Sequence, residues 1–474
     1  MKHFPLLLAL ASLLVFTTVG AAAEAWPAFR GANGSGVSET AKPPLKFGPS
    51  ENVRWKIEVP GSPSSPCVWG DRIFLTTFAA GKLETRCVDR RDGKLIWSRV
   101  TSAKKLEEFH QTEGSPAAST PATDGTRVVS YFGSCGLVCH DFAGQELWRH
   151  VLPPAMTAGN FGSGTSPIMV GDLVLLNRDQ VRGSSLVAVR LKDGKKVWET
   201  PRADAPTSYS TPILLRHEGR DEVLVAGSLA LKSYEAKTGA ERWVLRGLPS
   251  YTCTTPVLGD GMIFFAGWSP GKADSPWPSW ESTLSKLDKN SDGVVTINEF
   301  TEKSDAAWFK SQDLNGNGKL DREDWDTIGG LMKRGENVLL AVRPGGRGEV
   351  TSTHVAWKFE RGLPYVPSPL FYQGRVYLVK DGGMISSFEA KTGKPFYTQE
   401  RLKAQGSYYA SPVAADGRIF VASLDGKVTV VKAGGDAPEV LHSADFKERI
   451  AATPALVGNQ IFIRTAKALY AFGE

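Results

Sequence analysis

Short segments in which apolar and polar residues alternate recur along this chain, and each is followed by a turn and an aromatic residue. In the clearest copy, running from Ser184 to Trp198, alternate residues indicate a β-strand with one buried face. Asp193-Gly194 then supplies a hairpin turn, because glycine adopts positive φ without steric cost. The other copies end at Trp97, Trp148, Trp243 and Tyr397.

A Ser-Pro or Thr-Pro step precedes an apolar strand in every copy of the repeat. Successive steps lie about 45 residues apart, and a period of that length with four short strands is typical of a β-propeller. Proline suits the start of the innermost strand, where its missing N–H is tolerated. The eight steps predict an all-β, eight-bladed β-propeller and end at Pro66, Pro121, Pro167, Pro212, Pro256, Pro369, Pro412 and Pro454.

The two ends of the repeat region predict how the ring closes. The last repeat begins at Pro454 and contains only three strands, whereas residues 51–59 resemble an outer strand, with Trp55 at the tryptophan position. Pairing of these two segments would complete blade eight and remove exposed sheet edges. The predicted propeller therefore comprises residues 51–268 and 337–474, with residues 24–50 as an irregular lead-in lying against it.

The interval from Pro256 to Pro369 is more than twice the usual length and predicts a small α-helical insertion, residues 269–336, between the second and third strands of blade five. It contains two twelve-residue loops that follow the EF-hand rule, with oxygen donors at fixed positions and glycine at position 6. Ca²⁺ is a hard cation that takes six to eight oxygens. The predicted ligands are Asp288, Asn290, Asp292, Val294, Thr296 and Glu299 in the first loop, and Asp313, Asn315, Asn317, Lys319, Asp321 and Asp324 in the second.

The second loop closes with Asp324 rather than glutamate, so we expect a weaker site or one that tolerates Mg²⁺. Apolar Val295 and Leu320 at position 8 are expected to pair. A structural role for the metal is favoured over a regulatory one, and Asp/Asn-rich surface turns are the alternative interpretation. The predicted core of the insertion contains Leu284, Leu287, Phe300, Trp308, Phe309 and Trp325.

Charge and the N-terminus bear on partners and location. The 474 residues include 56 Lys and Arg against 50 Asp and Glu, and no basic run indicates a nucleic-acid surface. Residues 1–23 combine a polar start, a short apolar stretch and Ala21-Ala22-Ala23, which predicts a secretory signal peptide, with a membrane anchor as the alternative. We expect an exported protein, periplasmic or extracellular, without a transmembrane segment after signal removal.

The chain has five cysteines, and an exported protein could form disulfides from them. An odd count leaves at least one thiol unpaired within the chain. Cys135 and Cys139 flank a predicted hairpin and could form a local bridge. Reduced cysteines buried in strands are the favoured interpretation.

The G-x-x-x-W hairpins, the Ser/Thr-Pro steps and the eightfold period resemble the pyrroloquinoline-quinone-type propeller repeats, over about residues 51–268 and 337–474. That group includes quinoprotein alcohol dehydrogenases and the propeller lipoprotein of the outer-membrane β-barrel assembly machinery, which binds no quinone. The dehydrogenases typically stack the quinone (PQQ) on a disulfide between adjacent cysteines, and this chain has no such pair. The resemblance thus implies a binding or scaffold protein, with a PQQ-dependent dehydrogenase as the alternative.

Aromatic residues precede several of the landmark prolines and are expected around one mouth of the channel. Rings that converge there could bind a protein or glycan partner, whereas packing between blades is the alternative. By strand counting, the insertion lies on the same face and would partly cover the mouth. The candidate ligand-binding residues are Phe161, Tyr209, Tyr251, Tyr365 and Tyr408, with Tyr409 beside them.

Overall fold

Eight antiparallel blades form a closed ring in the computed structural model, which describes residues 24–271, 277–300 and 303–473. The predicted eight-bladed all-β propeller is confirmed. Each blade begins with a short inner strand directly after its landmark proline and ends with an outer strand at the rim. The predicted signal segment, residues 1–23, lies outside the described residues.

The strands follow the repeat blade by blade. Blade one contains Cys67–Trp69, Arg72–Ala79, Lys82–Asp89 and Leu95–Thr101, and blade two contains Ala122–Thr123, Arg127–Phe132, Gly136–Asp141 and Glu146–Val151. Blade three contains Ile168–Val170, Leu173–Arg178, Ser185–Arg190 and Lys196–Pro201. Blade four contains Ile213–His217, Arg220–Gly227, Ala230–Glu235 and Glu241–Arg246. Blade five contains Val257–Gly259, Met262–Gly267, Val338–Val342 and Val355–Phe359, and blade six contains Leu370–Tyr372, Arg375–Lys380, Met384–Glu389 and Pro395–Arg401. Blade seven contains Val413–Ala415, Arg418–Ala422, Lys427–Lys432 and Val440–Asp445. Blade eight contains Ala455–Val457, Gln460–Arg464, Ala468–Gly473 and Val53–Glu58.

The ring closes as the sequence predicts. Val53–Glu58 pairs antiparallel with Ala468–Gly473, and Trp55 lies opposite Ala471. The first described long strand of the chain is therefore the outer strand of the last blade. This pairing joins the two ends of the repeat region and leaves no gap between blades eight and one.

A tryptophan on the outer strand of most blades docks onto the hairpin turn of the next blade. The indole N–H of Trp97 donates to the carbonyl of Phe142 at 3.0 Å, and that of Trp198 donates to Ala236 at 3.2 Å. The turn glycine lies beneath the ring, so a Cβ at Gly239 would come within 2.4 Å of Trp198. Trp55, Trp148 and Trp357 make equivalent bonds to Arg90, Leu191 and Ala390. These contacts explain why the turn and the tryptophan recur together.

The lead-in crosses the base of the channel and contacts inner strands around the ring. Ala25–Trp26 adds a strand to the inner edge of blade one. The Asn33 side chain bonds both backbone groups of Leu214 in blade four, at 2.7 and 2.8 Å. Val37 bridges Ala414 in blade seven. The segment therefore closes one end of the channel.

Between the second and third strands of blade five lie three helices: α1, Trp280–Leu287; α2, Lys303–Gln312; and α3, Arg322–Arg334. Val295 pairs with Leu320 in a two-residue antiparallel ladder, as expected for position 8. The core contains Trp280, Val295, Phe309, Leu320 and Trp325, with Leu284, Leu287 and Phe300 packed against it. Trp308, which the sequence predicted in this core, is 37% exposed. Trp280 is buried in the core but was not among the residues predicted there.

Short helical segments complete the described structure. These are the 3-10 turns Ala32–Gly34, Ala158–Asn160 and Ile297–Glu299 and the four-residue helix Thr351–His354. The two-residue strand Gly348–Glu349 pairs parallel with the outer strand of blade four. Within the described ranges, no helix has the length and apolar character needed to cross a bilayer.

All five cysteines are free thiols, and four of them are buried. The local Cys135–Cys139 bridge is therefore not formed. Burial raises the pKa of Cys135 to about 11 and that of Cys87 to about 12, which keeps these thiols protonated and unreactive at neutral pH.

Candidate functional site: the central cup

A closed ring of hydrogen bonds surrounds the channel at the residues that precede the landmark prolines. The backbone N–H of each Ser or Thr donates to the side-chain hydroxyl of its counterpart in the next blade, at 3.0 or 3.1 Å. We call these residues the hydroxyl ring: Ser65, Thr120, Ser166, Thr211, Thr255, Ser368, Ser411 and Thr453. The ring ties all eight inner strands together.

Sequence reasoning explained the proline of each step but missed the role of the hydroxyl. The signal was present, because every landmark proline follows Ser or Thr. A hydroxyl at that position is needed to accept the buried N–H of the preceding blade, since an unpaired buried N–H is unfavourable. The ring members are nearly fully buried.

Above the hydroxyl ring, a cavity of about 230 Å³ opens toward the mouth of the channel. Phe29 of the lead-in contributes to its lining, and six members of the hydroxyl ring line it as well. Because the lead-in closes the opposite end, the cavity is blind, and we call it the cup. Its aromatic lining consists of Phe29, Phe161, Tyr209, Tyr365 and Tyr409.

The aromatic residues predicted from the sequence to bind a ligand lie at three different places in the structure. Phe161, Tyr209 and Tyr365 line the cup. Tyr251 instead lines a neighbouring cavity between the ring and the insertion. Tyr408 is 1% exposed and donates its hydroxyl to the Ala404 carbonyl at 2.5 Å, so its adjacent residue Tyr409 faces the cup.

An ion pair that sequence reasoning missed lies at the rim of the cup. Arg449 donates to the Glu113 carboxylate at 2.7 Å, and its guanidinium lies 5.5 Å from the Tyr409 ring centre. Burial favours the neutral form of Glu113, but hydrogen bonds from Tyr409 and Arg449 outweigh it and hold the pKa of that carboxyl below its usual value. The rim therefore presents an anion and a cation side by side.

A buried carboxyl group supports the wall of the cup from behind. Glu107 is 3% exposed, and its Oε2 accepts bonds from the Ser163 hydroxyl at 2.7 Å and backbone N–H at 3.2 Å. Burial raises the pKa of Glu107 to about 7. Ser163 lines the cup, so Glu107 is hydrogen-bonded to the wall of the cup from its buried side.

The insertion rests on the face where the cup opens. Lys310 pairs with Glu108 at 2.7 Å, one residue from Glu107. Arg182 donates to the Asp313 carbonyl at 2.7 Å, and Ser250 donates to Leu331 at 3.1 Å. Helix α2 also packs against Ala158–Asn160, the turn that immediately precedes Phe161. The insertion therefore contacts segments that line the cup.

The two twelve-residue loops adopt matching conformations. Asp288 accepts the N–H of Gly293 at 2.9 Å, and Asp313 accepts that of Gly318 at 3.0 Å. At position 12, the carboxylate accepts the N–H of position 2 in each loop: Glu299 from Lys289 and Asp324 from Leu314. Burial, with Asp321 and Asp313 nearby, raises the pKa of Asp324.

The other predicted ligand residues lie within the same two loops. Asn290, Asp292, Asn315 and Asn317 accept backbone N–H groups two residues ahead, Thr296 bonds Glu299, and Asp321 caps α3. Val294 and Lys319 stand at position 7. Across residues 24–271, 277–300 and 303–473, no group of three or more His, Cys, Asp or Glu side chains is arranged to hold a metal ion. Amide and backbone oxygens would have to supply part of any ligand set here.

These features define an eight-bladed β-propeller with a blind aromatic cup at the centre of one face. A family model described as "Outer membrane protein assembly factor BamB" matches residues 48–161, 111–264 and 280–473. Since these matches include most of the chain, the protein belongs to that family.

Two solved structures share this fold, and one curated protein matches part of the sequence. The crystal structure of BamB from Moraxella catarrhalis superposes with a TM-score of 0.54 and 14% identity, covering 88% of this chain and 98% of that one. The computationally designed Ika8 protein gives 0.52 and 11%, covering 89% and 100%. Protein Rv3035 of Mycobacterium tuberculosis is 28% identical over 176 residues, which covers 33% of this chain and 41% of that protein.

Proposed function

We propose that this protein is an exported, calcium-binding propeller that acts as a binding or scaffold protein, with a partner docked at the mouth of the cup. The observation that carries the proposal is the cup itself. It is blind, lined by aromatic rings and rimmed by a Glu113–Arg449 pair. Aromatic walls with a few placed polar groups are typical of sites that bind a side chain, a short segment or a sugar.

Family membership favours a protein partner over a glycan. The family takes its description from an outer membrane assembly factor, and a structural relative carries the same name. A periplasmic location fits that description and the predicted signal peptide, residues 1–23. The fold alone does not define function, so the partner must be sought at the cup.

The calcium part of the proposal rests on the two loops of the insertion. Their donors are carboxylate, amide and backbone oxygens, the set that Ca²⁺ prefers. The closing carboxylates, Glu299 and Asp324, already reach back across their loops to position 2. Ca²⁺ would neutralise the acidic side chains of each loop and hold the insertion against the mouth of the cup. We propose a weaker or Mg²⁺-tolerant site in the second loop, because Asp324 is shorter than glutamate.

A quinone-dependent dehydrogenase remains the second candidate function. The absence of adjacent cysteines in the sequence argues against it. Purified protein mixed with pyrroloquinoline quinone and Ca²⁺ distinguishes the two by absorbance and dye-linked alcohol oxidation. We expect neither stoichiometric quinone uptake nor turnover, and tight uptake would favour the dehydrogenase.

Capture of partners from the native envelope fraction tests the binding proposal. Wild-type protein is compared with Phe161→Ser/Tyr365→Ser in the cup and with Leu95→Ser, an exposed apolar residue on the outer strand of blade one. We expect one or a few proteins retained by the wild type and by Leu95→Ser, and lost by the cup variant. Capture that is equal for all three chains would contradict a cup-centred partner, and capture of glycan alone would favour the other ligand class.

A further inference from the structure

A second cavity lies between the insertion and the ring, where Tyr251 forms part of its wall, and we call it the interface cavity. Its volume is about 290 Å³, compared with about 230 Å³ for the cup, and the two cavities share no lining residue. This volume is close to the lower end of those typical of small-molecule sites. The interface cavity therefore has room for a ligand that the cup does not hold.

Helix α3 forms the insertion side of the interface cavity. Thr327, Leu331 and Arg334 are spaced by four and three residues, so they lie on one face of the helix, and all three line the cavity together with Ile328. Ile328 and Leu331 are buried. The same face is bonded directly to the ring, because the Ser250 hydroxyl donates to the Leu331 carbonyl at 3.1 Å. The cavity thus lies between two parts of the protein that are in contact around it.

The ring side of the interface cavity is largely apolar. Val181 and Ala230 are buried and line it, and Leu229 lies beside them. Two hydroxyl residues in the lining, Thr207 and Ser228, already satisfy each other. The Ser228 hydroxyl donates to the Thr207 carbonyl at 2.7 Å and accepts the Thr207 N–H at 3.3 Å. These walls suit the apolar body of a ligand, since water is held poorly where few polar groups are open to it.

The charged residues of the lining are exposed and therefore lie at the opening of the interface cavity. Two of them already have partners: Asp204 pairs with Lys232 at 2.8 Å, and Arg246 pairs with Glu349 at 3.0 Å. Arg334 differs, because its Nε donates only to a carbonyl one turn back in α3, at 3.1 Å. Among residues 24–271, 277–300 and 303–473, no carboxylate lies within ion-pair distance of Arg334. The opening therefore offers a cation, with an apolar cavity behind it.

We propose that the interface cavity binds a small amphipathic carboxylic acid. Its apolar body lies between α3 and blade four, and its carboxylate pairs with the guanidinium of Arg334, whose fork of N–H donors matches a carboxylate. A ligand in this position contacts both the insertion and the ring, so it holds the insertion in place. The site goes beyond the proposed function, since neither the partner at the cup nor the metal in the loops is needed for it.

Calorimetry with octanoate, below the concentration at which it forms micelles, tests the site in Ca²⁺-containing buffer. We expect saturable binding of octanoate by the wild type, and binding of octanamide, its neutral analogue, that is weaker by about tenfold or more. Arg334→Gln should weaken octanoate binding by a similar factor. Lys333→Gln is the matched control, because Lys333 is exposed on the same helix, carries the same charge and does not line the cavity. Octanoate that gives no heat, or that binds Arg334→Gln as tightly as wild type, would overturn the proposal.

The place of binding separates this site from the cup. A crystal grown with 8-bromooctanoate should show an anomalous peak between α3 and blade four, and the cup variant Phe161→Ser/Tyr365→Ser should bind octanoate as the wild type does. A peak in the cup instead, or loss of octanoate binding in the cup variant, would overturn the proposal while leaving the proposed partner site intact. Failure of the cup variant to lose its partner would bear on the proposed function alone.

Discussion

At the scale of single residues, buried hydrogen bonds hold the inner wall of the cup in place. Glu107 holds Ser163 from behind, and the hydroxyl ring holds the eight inner strands together. Both sets of hydrogen bonds are buried. Removing one partner of a buried hydrogen bond therefore lowers the stability of the protein more than removing a partner of an exposed one.

The raised pKa of Glu107 predicts a pH-dependent stability. The unfolded chain releases this proton near pH 4.5, whereas the folded protein retains it until about pH 7. The contribution of Glu107 is therefore fully present below pH 4.5 and is lost as the pH rises through 7, a loss of about 3 kcal/mol. Urea unfolding from pH 4 to 8 should show this decline in wild type and a flatter profile in Glu107→Gln. Identical profiles would contradict the assignment.

Removing one hydroxyl of the ring should destabilise the protein by about 1–3 kcal/mol, because a buried N–H loses its acceptor. Ser411→Ala does this to the N–H of Ser368, which it accepts at 3.0 Å. Ser411→Thr retains the hydroxyl and serves as the control. The free energy of unfolding in urea is the measurement, and equal values for the two variants would argue against the ring.

At the scale of elements, the strands and hairpins could be predicted because their pattern is local and repeated eight times. The outer-strand closure also followed, since Trp55 carries the same signature as the other tryptophans. The sequence predicted a lead-in lying against the propeller but not where it binds, and it did not predict the Gly348–Glu349 strand, because single contacts such as Asn33 with Leu214 join distant segments without any periodicity.

Because a tryptophan packs over some turn glycines and not over others, replacing these glycines by alanine should cost different amounts of stability. Gly239 and Gly219 share a φ of +73°. A Cβ added at Gly239 would clash with Trp198, whereas a Cβ added at Gly219 would have no atom within 4 Å. Gly239→Ala should therefore lower stability by about 1–3 kcal/mol more than Gly219→Ala, through overpacking. Thermal unfolding measures both, and equal losses would show that backbone strain alone accounts for the effect.

At the scale of the whole molecule, part of the cup could be predicted from the sequence and part of it could not. The aromatic residues before the landmark prolines pointed to the mouth of the channel. The sequence analysis chose Tyr408, whereas Tyr409 lines the cup, because adjacent residues face opposite ways and the repeat does not fix which one faces inward. Glu113 and Arg449 lie in distant connections, so only the folded ring brings them together.

Calorimetry with Ca²⁺ tests most directly the claim that this is a calcium-binding propeller. Wild-type protein should release or absorb heat on titration, and the insertion should become more resistant to protease. Asp288→Ala/Asp313→Ala should abolish both effects yet leave the melting of the ring nearly unchanged, since the ring has its own core. Asp326→Ala, an exposed acid outside the loops, should behave as wild type. A wild type that shows no heat and no change in protease sensitivity up to millimolar Ca²⁺ would contradict the account.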